Sequence, residues 1–162
     1  MEITGTNPDT GEIQKVELQA LPPQFLAQMT THEVLKKDLL SKIDNLPLSA
    51  DAKALLYKMG GSVMKVGSTV VKIGHKILEV VLKIVSSFPN ASFGLIFGAV
   101  AGMLIAGIPV IGFILGPVVT PLLSALGLLM GAKADFADAA LENRVMEAVA
   151  TFEPLKGGVA LD

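Results

Sequence analysis

"FGLIFGAVAGMLIAGIPVIGFILGPVVTPLLSALGLLMGA", residues 93 to 132, is the stretch whose reading decides the fold. It lies in a run of 49 residues, between Lys83 and Lys133, that contains no Asp, Glu, Lys, Arg or His. As one straight helix, residues 84–132 would span ~73 Å, over twice the ~30 Å hydrocarbon core of a bilayer. The run must therefore double back. One reversal lies at Gly107-Ile108-Pro109, giving arms of 91–107 and 110–132. The other lies around Gly112, Gly116 and Pro117, which lengthens the first arm. The second is preferred, because 17 residues barely cross a membrane.

Both arms are apolar all round, whereas a helix in a small bundle keeps a polar stripe unless it is completely enclosed. The expectation is a membrane-inserted hairpin, against the alternative of a buried core wrapped by residues 31–88 and 133–152. Lys72, Lys76 and Lys83 precede the run and Lys133 follows it, while the turn is uncharged. By the positive-inside tendency both termini stay cytoplasmic, and the protein belongs to the inner membrane. Small residues let helices approach closely in lipid. Gly94, Gly98, Gly102 and Ala106 form such a row at four-residue spacing, and Gly112/Gly116 and Gly127/Gly131 repeat it. The row packs against either the other arm or a second copy of the chain.

Outward from the hairpin, the 162 residues are 51% hydrophobic and 17% charged, with mean hydropathy +0.60. Residues 1–50 carry a net −3, residues 51–83 a net +4 and residues 133–162 a net −3. This basic centre between acidic ends argues against nucleic acid as a partner. There is no cysteine, so disulfide and thiolate chemistry are excluded. The first thirty residues hold Glu2, Asp9, Glu12 and Glu17 and do not read as a cleaved secretory signal.

Residues 1–24 read as an extended arm, with "TNPDTGE" as the turn of a short hairpin between Ile3 and Ile13–Leu18. A capping box at Thr30 and Glu33 starts a helix running to Asn45, and Ser49 caps the next. From Ser49 to Phe88 the pattern predicts one long amphipathic helix. Lys58, Lys65, Lys72, Lys76 and Lys83 share one face, and Gly60, Gly67 and Gly74 recur every seven residues opposite them. The basic face is solvated, lies on anionic headgroups, or lines a lumen. Pro89 ends that helix, and Asn90 or Ser92 caps the hairpin. Residues 133–153 form a final amphipathic helix before a loose tail, 154–162.

Chemistry-bearing motifs are sparse. His32 and His75 read as surface residues, and Asp135 and Asp138 share no pocket with a base. No metal spacing or phosphate loop is present. No cofactor and no enzymatic activity are expected.

The apolar hairpin resembles glycine-zipper membrane segments and the hairpins of colicin-type toxins and holins. That resemblance, compositional over about 42 residues, implies self-association or insertion. The expected fold is all-α: N-terminal arm (1–24), interfacial helices (30–88), transmembrane hairpin (89–132) and C-terminal helix (133–153). The expected function is an oligomeric pore or membrane-permeabilising assembly partnered by lipid and by its own copies. The alternative is a membrane anchor whose residues 1–88 recruit a protein complex.

Overall fold

The computed structural model describes residues 1–19, 21–127, 138–156 and 159–161, the last three as backbone. Gly131, Lys133, Asp135 and the start of the expected C-terminal helix lie outside the described residues.

The N-terminal residues form a hairpin. β1 (Glu2–Thr6) and β2 (Ile13–Glu17) pair antiparallel, with Ile3 opposite Val16 and Gly5 opposite Gln14. Asn7 organises the turn: its Oδ1 accepts from the N–H groups of Asp9 and Thr10, and Gly11 takes φ 75°. Pro23 opens α1 (Pro23–Thr30), a position where its missing N–H costs nothing. Thr30 closes that helix, and Glu33 falls in the connection that follows, so the expected capping box is not formed. α2 (Lys36–Asp44) leads to α3 (Ala50–Gly60), where the Ser49 side chain accepts from Ala52 N–H.

The long helix expected over Ser49–Phe88 is three separate pieces. After α3 come β3 (Met64–Val66) and β4 (Thr69–Val71), then α4 (Ile73–Ser87). Gly67 and Ser68 form a two-residue hairpin loop, with Val66 opposite Thr69 and Gly67 at φ 61°. The alternation in "VMKVGSTVV" is a strand signal, and the seven-residue glycine spacing hid it. Gly60, Gly67 and Gly74 consequently stand in a helix end, a β-turn and a helix start.

The strand order is β4-β3-β1-β2-β5, with β5 (Val159–Leu161) drawn from the tail expected to be loose. Strand β1 is thus the centre of a five-stranded antiparallel sheet, and the fold is mixed α and β, which corrects the all-α expectation.

The apolar run becomes α5 (Phe93–Gly107) and α6 (Pro109–Ala125), joined at Ile108. Ser92 caps α5 by accepting from Leu95 N–H. Pro109 is the first residue of α6, so the reversal takes the Gly107–Pro109 alternative, and Gly112, Gly116 and Pro117 lie inside α6. Among the described residues no helix is long and apolar enough to cross a membrane. At 1.5 Å per residue the 15 residues of α5 and 17 of α6 reach only ~22 and ~26 Å. The transmembrane hairpin and the inner-membrane assignment, with its topology, are corrected accordingly.

The hairpin is instead the centre of the protein. Phe97, Val100, Ile111, Ile114, Val118 and Leu122 are fully buried. The sheet lies on α6 near Gly5, α3 also packs on α6, and α4 and α7 (Ala139–Ala150) flank α5. Burial of each such side chain is worth roughly 1.5–3 kcal/mol. Asp138 caps α7 through Ala140 and Leu141 N–H, and a 3-10 turn (Glu153–Leu155) follows. The large side chains are enclosed by protein, and the positions left outside are Gly, Ala, Pro, Ser and Thr, so no charged stripe is needed.

Candidate functional site

Three side chains of α4 reach the connection between α1 and α2. His75 and Glu79 sit one turn apart, four residues being the spacing that aligns them on one helix face. Both are buried, at 3% and 5% exposure. The Val34 carbonyl can only accept, so His75 Nε2 donates to it, at 2.7 Å. Lys76 Nζ donates to the Thr31 carbonyl at 3.0 Å, and Glu33 N–H donates to Glu79 Oε1 at 3.1 Å. Side chains of one helical turn therefore clasp the backbone of residues 31–34.

His32 points back into this clasp. Its ring lies 4.4 Å from that of His75, centroid to centroid, and its Nδ1 is 3.7 Å from Glu79 Oε2. Burial, with His75 and the lysines at 76 and 72 adding to it and Glu79 opposing, holds His32 below its ordinary pKa of 6.5. The two oxygens of Glu79 live differently. Oε1 takes the Glu33 N–H and has Lys76 Nζ at 3.5 Å. Oε2 has His75 Nε2 at 3.4 Å and His32 Nδ1 at 3.7 Å, yet neither it nor His32 Nδ1 has a hydrogen-bond partner. A cleft of about 380 Å³ opens alongside, between Gln28, Glu33, Lys76, Glu79, Lys83 and Thr151.

His32, His75 and Glu79 form the only group of three metal-competent side chains among the described residues, their donor atoms lying within 4.8 Å of one another. The sequence carried half of this signal, His75 and Glu79 at helical spacing. It did not show that His32, set aside with His75 as a surface residue, returns to the same point.

The five lysines expected on one face are dispersed. Lys58 on α3 pairs with Asp9, Lys65 is on β3, and Lys72 precedes α4. Lys76 joins the clasp, and Lys83 lies 3.6 Å from Glu33. Residues 1–88 build four strands and four helices of the fold.

The hairpin glycines also divide. Gly112 lies where α6 meets α5, a Cβ there falling 2.9 Å from the Ile105 carbonyl oxygen. Gly94, Gly98 and Gly102 are half-buried along α5 and Ala106 is exposed. A Cβ on Gly102 or Gly116 would meet nothing within 4 Å. Gly127, at φ 77°, turns the chain after α6. Beside Ala106 a trough of about 450 Å³ runs between α5 and α7, its walls including Met103, Gly107, Met146 and Val149. No family model, curated protein or solved structure matches the chain.

Proposed function

We propose that the protein is a self-associating module, and that the outer sides of α5 and α6 pack against the same surface of a second copy. The observation that carries this reading is open space over Gly102 and Gly116, on two neighbouring helices without an ionisable residue. The residues these helices leave outside, Ala106, Gly107, Thr120, Ser124 and Ala125 among them, are small and uncharged. Bare glycines allow backbones to approach closely. An uncharged face is self-complementary, because copies meeting on a two-fold axis bring no like charges together. The adjoining trough, with Met146 half exposed beside it, offers a socket for a side chain of the other copy.

The test is native mass as a function of concentration. Wild type gives an assembly mass above that of one chain. Gly102→Leu with Gly116→Leu gives the monomer and no loss of thermal midpoint in dilute solution, since leucine is worth roughly 0.5–1 kcal/mol over glycine inside a helix. A monomeric wild type, or a double variant of unchanged assembly mass, refutes the reading.

A further inference from the structure

We propose that His32, His75 and Glu79 bind one divalent transition-metal cation, Zn²⁺ being the best match, and that the cation fastens the 31–35 connection to α4. The site is independent of self-association.

Two atoms of this cluster are orphaned. Glu79 Oε2 and His32 Nδ1 are buried, face one another at 3.7 Å and lack partners. Buried polar atoms are nearly always satisfied, and an exception points to a water or an ion. The distance is too long for a hydrogen bond between them.

The donor set selects among ions. Two imidazoles and one carboxyl group suit Zn²⁺ and its first-row neighbours, whereas Ca²⁺ and Mg²⁺ call for six or more oxygens. Bonds of ~2.0–2.1 Å in tetrahedral array put donor atoms ~3.3 Å apart. Glu79 Oε2 is 3.4 Å from His75 Nε2 and 3.7 Å from His32 Nδ1, and the three side chains bring donor atoms within 4.8 Å of one another, so the two rings and the carboxyl group draw together to close on the cation. The surroundings fit as well. Glu33 N–H fixes the carboxyl group through Oε1, leaving Oε2 for the cation, as outer-shell bonds to metal-ligating carboxyls do.

Coordination has one local cost. His75 Nε2 now donates to Val34, so ligation there moves the ring proton to Nδ1 and exchanges a backbone hydrogen bond for a metal bond. Three protein ligands leave a position on the cation for water.

The experiment uses the full chain, stripped with a chelator, and Zn²⁺ alone as the probe. Calorimetry is expected to give one Zn²⁺ per chain, with a raised thermal midpoint. His32→Ala and Glu79→Gln each weaken binding by more than the ~10–100-fold typical of losing an outer-shell partner. Lys15→Ala, on β2, leaves it unchanged. The chain has only two histidines. Wild-type proton NMR therefore gives a second readout that needs no variant to fold: the ring signals of both shift together, complete at one equivalent. Absence of saturable binding, binding that both variants retain, or a shift in only one histidine overturns the proposal.

Discussion

Gly74→Ala destabilises the fold more than alanine at either of the other two glycines of the seven-residue series. A Cβ at this position would lie 1.7 Å from the carbonyl oxygen of Met59 and 2.8 Å from its carbonyl carbon. Both are backbone atoms, so no side-chain rotation relieves the clash, and α3 and α4 must separate by more than an ångström. Gly74 N–H also donates to the Ser62 carbonyl at 3.1 Å, which ties the start of α4 to the segment just after α3. Alanine would gain ~1 kcal/mol of helix propensity. Ordinary overpacking costs ~1–3 kcal/mol, and backbone against backbone exceeds that range, so the net loss after the propensity gain is more than about 2 kcal/mol. The other two glycines of the seven-residue series provide the contrast. Gly67→Ala loses ~1–2 kcal/mol because its positive φ strains any residue with a Cβ. Gly60→Ala falls within about 1 kcal/mol of wild type, its nearest contacts being side-chain atoms at 3.6 and 3.8 Å. Urea unfolding of the three variants reads this directly. Three similar losses would instead indicate a continuous helical seam and contradict the β3–β4 hairpin.

The same glycines show where sequence reading succeeded and where it failed. Local chemistry was legible: the turn in "TNPDTGE", the Ser49 cap, Ser92 as one of two candidate caps, and the need for the apolar run to double back each follow from one or two residues. Pairing at a distance was not. Gly60, Gly67 and Gly74 recur every seven residues, which suggests a helical period where each side of Gly67 carries only three strand residues. A hairpin that short holds together because β3 also pairs with β1, about sixty residues away and invisible to a local window. The clasp was hidden for the same reason: nothing near His32 in sequence announces His75 or Glu79. The hairpin presents a different problem. A helix without a polar stripe is at home in lipid or inside protein, and composition cannot separate the two environments. What separates them is the surface the rest of the chain offers, here the sheet, α3, α4 and α7.

That difference sets the second large effect, a charge placed on opposite sides of α6. Ile114 is fully buried against the sheet, its Cγ1 occupying space 2.8 Å from where a Gly5 Cβ would be. Ile114→Asp puts a carboxyl group between sheet and hairpin where it replaces an apolar side chain. A buried carboxylate without a partner costs many kcal/mol, and even the neutral acid loses the transfer energy of isoleucine and strands two polar oxygens. The total reaches or exceeds the ~5–15 kcal/mol that holds an ordinary domain together. The expected result is loss of cooperative unfolding in circular dichroism. Thr120, on the exposed side of the same helix, gives the opposite outcome. Thr120→Asp leaves stability within about 0.5 kcal/mol. Because residue 120 follows Gly116 by four, it also sets like charges against each other across a two-fold contact and yields the monomer by native mass. A helix surrounded by lipid would resist both charges, whereas one enclosed on a single side resists only the first. Equal damage from the two substitutions would therefore overturn the placement of α6 and, with it, the surface on which self-association rests.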